Sequence, residues 1–464
     1  MARADKNTVE QVCRELAVIF GNRFSDNSSV REAHSHNVTT LTHQVPDGVV
    51  YALSTDDVIK TVQVCARYKM PVIGFGVGSS LEGQLNAPNG GISLDFSKMD
   101  QVLSFSPDDM TVTVQPGITR ETLNSWLRDS GLFFPIDPGA NASIGGMAAT
   151  RASGTSAVRY GTMREAVLSA VAVMADGRLI RTASRAKKSA AGYDLTRLLV
   201  GSEGTLGLFT ELTIRLHPIP DVIASGICTF ATIGDACNAV IESIQCAVPF
   251  ARVELMDEFM VKACNAYSGL TLEARPTLCV EFHGDELSVA SQAAAFSEIA
   301  AAHGSLDFQQ STDPQKRAQL WKARHNALWA AEAYLPDCEV FSTDACVPIS
   351  RLADCVNETQ KDLREHNLIG PIIGHVGDGN FHVFVGFRKG NEEEKKRIYE
   401  FTERLSERAI AMDGTCTGEH GIGQRKTKYL RMELGAAVDY MWAIKKALDP
   451  DNILNPGKYG FPDN

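Results

Sequence analysis

Three runs of glycine and other small residues punctuate the first half of the chain and constrain its fold more than any other feature. The first is Gly74-Phe75-Gly76-Val77-Gly78-Ser79-Ser80-Leu81-Glu82-Gly83. The second is Pro138-Gly139-Ala140-Asn141-Ala142-Ser143-Ile144-Gly145-Gly146-Met147-Ala148-Ala149, continued by Ser153-Gly154 and Arg159-Tyr160-Gly161. The third is Gly201-Ser202-Glu203-Gly204-Thr205-Leu206-Gly207. Glycine lets backbone N–H groups approach an anion closely, and Ser79 and Ser80 add hydroxyl donors. The first run follows a strand-like segment, so a phosphate cradle stands beside the plainer reading of a turn. It lacks the glycine at 79 or 81 that GxGxxG needs, and no GxxxxGK[ST] is present, which argues against a Rossmann NAD site or a P-loop. Three such runs are too many for hairpin turns alone. Together they read as backbone walls around one long, polyphosphate-bearing ligand.

The rest of the chain supplies a mixed pattern. Helical spacing of apolar residues covers 8–21, and strand-like segments lie at 49–53, 71–75, 91–95, 111–114, 168–174 and 206–216, with a helix from 54 to about 69. Two prolines in His217-Pro218-Ile219-Pro220 mark a boundary. Beyond it, helices are expected at 233–244, 287–303, 318–334 and 349–366, and strands at 223–230, 277–283, 338–347 and 372–387. A charged helix at 392–411, a glycine-rich loop at 414–423 and a last helix at 433–448 complete an α+β chain. At 464 residues, about two to four domains are expected.

The three runs, in this order, resemble the FAD-binding domain of the vanillyl-alcohol oxidase (p-cresol methylhydroxylase-type) superfamily. The match to its D-lactate dehydrogenase and glycolate oxidase branch covers roughly residues 40–460. The resemblance implies an N-terminal helical segment at 1–45, a two-part FAD-binding domain at 46–218, and an α+β substrate (cap) domain with an antiparallel sheet at 219–412. A catalytic loop and C-terminal segment at 413–464 would return to the FAD domain. It further implies that Gly74, Gly76, Val77, Gly78, Ser79, Ser80 and Leu81 hold the pyrophosphate and ribityl chain. Pro138, Gly139, Ser143, Ile144, Gly145 and Gly146 would share that task, with Ala149, Ser153, Gly154 and Gly161 continuing the wall. Glu203, Gly204 and Gly207 would lie along the adenine side, and Asn455, in Asn452-Ile453-Leu454-Asn455-Pro456-Gly457-Lys458, would belong to a terminal flavin-side motif. Residues 71–83 contain no His or Cys, so the FAD is expected to be non-covalent.

The strongest chemical signal lies in the second half. In Gly374-His375-Val376-Gly377-Asp378-Gly379-Asn380-Phe381-His382, apolar flanks read as two strands and 377–380 as a turn. That register opposes His375 to His382, with Cβ atoms ~4.5–5.5 Å apart. Two imidazoles at that spacing can grip one metal at ~2.0–2.1 Å per Zn–N bond, or simply pack across the strands with ordinary hydrogen bonds. A third candidate ligand stands in Gly418-Glu419-His420-Gly421. Two His and one Glu leave coordination positions open, the pattern of a catalytic divalent site. A planar guanidinium at Arg324 can bind a carboxylate at two points. The resemblance assigns His375, His382 and Glu419 to Zn2+ or Mn2+, His420 to the base and Arg324 to the substrate carboxylate. It also places Ser342 and Phe384 where relatives selective for 2-hydroxyglutarate carry polar or basic residues, which favours a short or apolar substrate side chain.

The expected function is FAD- and divalent-metal-dependent oxidation of a D-2-hydroxyacid, D-lactate to pyruvate first, with glycolate or D-2-hydroxyglutarate oxidation, alone or as a subunit of a complex, as the alternative. The expected partners are a small anionic 2-hydroxyacid and an external electron acceptor: a quinone, a cytochrome or an electron-transfer flavoprotein. A net charge of −11 without a basic tract argues against nucleic acid. The 11 cysteines contain no CxxC pair and no iron–sulfur spacing, and fit reduced thiols in a reducing compartment. With no signal-peptide core and no stretch of 18 apolar residues, a cytoplasmic protein is expected, with peripheral membrane contact and a homodimer left open.

Overall fold

The computed structural model describes residues 3–461 and divides them into two units. The first contains the chain up to Ser153, Thr162–Pro218 and everything from Glu419 onward; the second contains Gly154–Gly161 and Ile219–Gly418. Residues 154–161, expected within the FAD-binding domain, thus pack with the second unit, and the return to the first falls after 418 instead of at 413. The architecture is α+β.

The first unit holds two sheets. Parallel strands Gly48–Tyr51, Ile92–Asp95 and Val72–Phe75 lie side by side, with Phe24–Ser25 antiparallel at the edge. Ile92–Asp95, in the middle, is buried along its whole length, as a parallel strand covered on both faces must be. Ser54 caps the intervening helix Thr55–Arg67, its hydroxyl accepting from Asp57 N, with Asp56 and Asp57 in the first turn. The C-terminus extends this sheet: Val72 N donates to Ile453 O at 2.8 Å and Asn455 N to Val72 O at 2.9 Å. The second sheet is antiparallel, in the order Val102–Ser106, Thr111–Val114, Leu208–Arg215, Val167–Val173, Leu179–Arg181.

The second unit is built on one antiparallel sheet in which Phe250–Met256 and Ile372–Gly374 are central neighbours. Side chains alternate between its faces. Val253 and Leu255 enter the main core beside Phe250, Phe282 and Phe296, whereas Met256 turns to a second cluster with Trp321, Ile373 and Phe384. Arg252 and Glu254 therefore point to that second face, which helix Pro314–His325 supplies with Trp321 and Leu320.

Three expectations are corrected. The helix expected over 318–334 is two helices, Pro314–His325 and Ala327–Tyr334, broken at Asn326, a residue type whose side chain competes with the backbone ladder. The last helix is Ala437–Leu448, preceded by a separate Thr427–Leu434, because Gly435 at φ 54 ends the first. The histidine hairpin pairs Ile373 with His382 and Ile372 with Val383, two residues out of the expected register. Val376–Asp378 forms a single 3-10 turn and widens the loop. A shift of two keeps side-chain parity, whereas a shift of one would have sent the two imidazoles to opposite faces.

Candidate active site

In the first unit the glycine runs meet. An alanine Cβ at Gly76 would lie 2.5 Å from Ser143 Oγ, so the loop after Val72–Phe75 and the start of helix Ile144–Thr150 touch through atoms that leave no room for a side chain. Ser143 caps that helix, Gly145 N donates to Pro116 O at 2.8 Å, and a Cβ at Gly145 would strike Pro116. The third run joins them: Gly201 N donates to Ala148 O at 2.9 Å and Glu203 N to Ala149 O at 2.8 Å. Gly139 faces open space, and Gly78 and Gly204 sit at φ 76 and φ 70, a region that favours glycine. Asn455 Nδ2 donates to Glu203 O at 2.7 Å and Gln84 O at 3.2 Å. Ser202 Oγ and Asn455 Oδ1 are buried without a hydrogen-bond partner among the described residues. A wall of small residues drawn together by these bonds, with two buried, unpaired polar side-chain atoms, fits a dinucleotide such as FAD.

Not every expected contact is available. Ser80 Oγ donates to Asn37 Oδ1 at 3.0 Å, so that hydroxyl is already engaged. Gly154 and Gly161 flank a segment of the second unit, where Arg159 Nη1 donates to Pro249 O at 3.1 Å and the Tyr160 hydroxyl lies 2.7 Å from His283 Nδ1. Ser153 ends the first unit's segment just before them.

The loop after Glu419 is anchored in the first unit by two carboxylates. Glu203 accepts from Ile422 N at 2.7 Å and Gly423 N at 2.9 Å, an anchoring contact that the expectation of an adenine-side residue did not contain. Burial pushes its carboxyl up to about 7, against those amide donors. Glu82 accepts through its main-chain oxygen from Gln424 N at 2.8 Å, and its side chain faces Lys426 at 3.2 Å, His420 Nδ1 at 3.4 Å and Arg425 at 3.6 Å. Burial alone would raise this carboxyl; Lys426, the nearby His420 ring and Arg425 outweigh it and hold it at about 2. Gln84 Nε2 donates to His420 O at 2.8 Å, so backbone and ring of His420 are both held.

In the second unit the structure brings His375 and His382 together, rings 5.4 Å apart at 83°. His375 Nδ1 lies 2.7 Å from Glu254 Oε1, and His382 Nδ1 lies 2.9 Å from Thr343 O. A carboxylate and a carbonyl only accept, so Nδ1 of each ring is a donor, and in the neutral imidazole the lone pair is on Nε2. Neutral imidazoles locked in that tautomer are the donor set a divalent transition metal takes. Arg324 is buried, and its Nε and Nη2 lie 2.7 Å and 2.6 Å from Glu254 Oε2. Asp344 accepts from Asn380 Nδ2 at 2.8 Å and Thr417 Oγ1 at 2.9 Å. A Cβ at Gly418 would collide with Asn380, so the chain passes directly over that residue before reaching Glu419. Ser342 and Phe384 are opposed across the strands, and Phe384 is buried against the Trp321 cluster.

Glu82 and Glu254 were not among the expected site residues. A charge at alternate positions of an otherwise apolar strand, Phe-Ala-Arg-Val-Glu-Leu-Met at 250–256, was the available signal for Glu254. For Glu82, only its place at the end of the first glycine run pointed to the site.

Two family models match the chain: an FAD binding domain over residues 46–183 and the FAD linked oxidases, C-terminal domain, over 219–459. "Probable D-lactate dehydrogenase, mitochondrial" of Danio rerio is 47% identical across 97% of this chain and 92% of its own length. "D-lactate dehydrogenase [cytochrome], mitochondrial" of Arabidopsis thaliana is 46% identical across 89% of this chain and 73% of its own. A solved p-cresol methylhydroxylase with substrate bound superposes with a TM-score of 0.80 at 15% identity, covering 99% of each chain, which shows the shared fold. The protein is thus an FAD-dependent oxidoreductase with the fold of p-cresol methylhydroxylase. Within that class the chain belongs to the FAD-linked oxidases of the D-lactate and D-2-hydroxyacid dehydrogenase branch.

Proposed function

We propose that this protein oxidises D-lactate to pyruvate with non-covalent FAD and a divalent metal, and passes the electrons to a cytochrome. The observation that carries the metal is the buried imidazole pair whose Nδ1 atoms are committed to Glu254 and Thr343. His375, His382 and Glu419 would hold the ion, and the runs at 74–81, 138–149 and 201–207 the dinucleotide. When bound, FAD supplies the hydride acceptor and the metal the Lewis acid that acidifies the substrate hydroxyl.

His420 takes the hydroxyl proton, its ring oriented from behind by Glu82 at 3.4 Å. Arg324 binds the substrate carboxylate. Its Nε donates to Glu254 at 2.7 Å, which leaves the Nη1–Nη2 end of the guanidinium to take the substrate carboxylate at two points. Phe384 beside Ser342 offers no charge for a second carboxylate, which supports lactate over 2-hydroxyglutarate.

The relatives named as D-lactate dehydrogenases support the substrate, and the word cytochrome in the Arabidopsis name supports the acceptor. Among the described residues no helix is long and apolar enough to cross a membrane. Both relatives are named mitochondrial, so the cytoplasmic placement stands as a proposal for subcellular fractionation to test.

The deciding experiment is anaerobic mixing of the yellow protein with D- or L-lactate. Bleaching by the D-enantiomer alone is the expected result; bleaching by neither refutes the substrate. Exhaustive chelation should stop bleaching while the flavin absorbance persists, and turnover that survives chelation removes the metal from the reaction.

A further inference from the structure

We propose that Glu254 is a positioning residue that locks His375, on the metal side of the site, and Arg324, on the substrate side, into one hydrogen-bonded unit. The proposal rests on the metal-site reading above. Each carboxylate oxygen has its own partner: Oε1 lies 2.7 Å from His375 Nδ1, and Oε2 lies 2.7 Å and 2.6 Å from Arg324 Nε and Nη2. The Glu254 side chain is fully buried, and those of His375 and Arg324 are each 9% exposed.

The carboxylate is held in place by its strand. Phe250–Met256 is paired on both sides, with Glu254 opposite Cys279 on one neighbour and Leu255 opposite Gly374, next to His375, on the other. His375 and Arg324 come from different elements, a loop at 375–379 and a helix at Pro314–His325, and neither element alone sets the distance between them. Glu254 does.

The chemistry of the two contacts makes glutamate hard to replace. A carboxylate offers acceptors on both oxygens, and both partners are donors. Glutamine has the same shape but one acceptor and one donor. With its carbonyl toward Arg324, its amide N–H2 faces His375 Nδ1 and favours the tautomer with the proton on Nε2, which cannot ligate. With its carbonyl toward His375, the N–H2 group meets the charged guanidinium, donor against donor, so the first orientation is the one favoured. Either orientation breaks one side. His382 provides an internal control, because its Nδ1 donates to a backbone carbonyl that no side-chain change at 254 removes.

The competing account is that Glu254 only neutralises a buried guanidinium, in which case its loss weakens the fold and leaves metal binding alone. The test uses the full-length, flavin-loaded enzyme, stripped of metal by chelation and titrated with Mn2+ while free ion is followed by electron paramagnetic resonance. Glu254→Gln should raise the Kd for Mn2+ by about 10–100-fold, with flavin absorbance unchanged. If that variant fails to retain flavin, Glu254→Asp keeps the charge and both acceptors but is one methylene short of spanning the two partners, and should also raise the Kd. Wild-type affinity in the variant that holds flavin overturns the positioning role. A wild-type enzyme that binds no Mn2+, or a His382→Ala variant that binds it as tightly as wild type, overturns the metal reading itself.

Discussion

Replacing Glu82 with glutamine removes a buried carboxylate that faces three cationic or protonatable groups. Lys426, His420 and Arg425 lie 3.2, 3.4 and 3.6 Å from it, and the side chain is 1% exposed. Burial raises the carboxyl, these neighbours lower it further, and it settles at about 2 against an ordinary value of 4.5. A difference of about 2.5 units at 1.36 kcal/mol each amounts to about 3 kcal/mol by which folding favours the ionised form. Because the folded value is depressed, that stabilisation is complete above pH 4.5 and disappears as pH falls toward 2. Glu82→Gln should therefore lose about 3 kcal/mol near neutral pH, more where Lys426 is left uncompensated, and the gap to wild type should narrow in acid. Urea unfolding followed by flavin release, stepped from neutral pH downward, reads this directly. A variant as stable as wild type at neutral pH, or a gap that does not change with pH, refutes the electrostatic reasoning. The same variant should reduce its flavin more slowly with D-lactate, since His420 loses the group that orients its ring.

His420→Ala should slow flavin reduction by D-lactate about 10²–10⁴-fold with FAD still bound, measured by anaerobic stopped flow; a wild-type rate removes His420 as the base. Gly76→Ala puts a Cβ 2.5 Å from Ser143 Oγ and displaces the helix cap, at about 1 kcal/mol and with weaker FAD retention. Combining it with Ser143→Ala should cost no more than either change alone in urea unfolding, since both remove the same cap. Asp257 caps Glu258–Ser268, and burial pushes its carboxyl up to about 8. Its protonated form stabilises the fold at low pH, and that contribution is lost as pH rises through 8. Asp257→Asn should then match wild type in Tm in acid below the ordinary value of 3.8, exceed it increasingly as pH rises toward 8, and hold a constant lead above that.

Some local patterns were legible to within a residue or two. Thr55–Arg67 announced itself by the Ser54 cap and its acidic first turn, and Glu392–Ala411 by its charged face. The hairpin was legible in kind but not in register, because a turn composition of Gly-Asp-Gly-Asn accommodates loops of several lengths and the 3-10 turn at Val376–Asp378 lengthens this one. The glycine runs disclosed a ligand cradle, since what they encode is the absence of side chains. They did not disclose that Glu203 turns toward Ile422 or that Ser80 is taken by Asn37, because those partners lie 219 and 43 positions away. Glu254 escaped for the same reason: its partners stand 121 and 70 positions along the chain, and only folding brings them to its strand.

What these long-range contacts have in common bears on how the site is assembled. Each imidazole assigned to chemistry is oriented by a group from its own unit: Glu254 for His375, the Thr343 carbonyl for His382, Glu82 for His420. Burying Glu82 and Glu254 is costly unless each is paired, and apolar residues of similar volume would stabilise the fold at least as well. Charges kept at such positions are explained by what they hold. Ring tautomer and direction are then fixed by folding each unit, so that ligand binding need not supply the ordering free energy, and preorganisation of this kind is what a proton-abstracting base and a metal ligand both require.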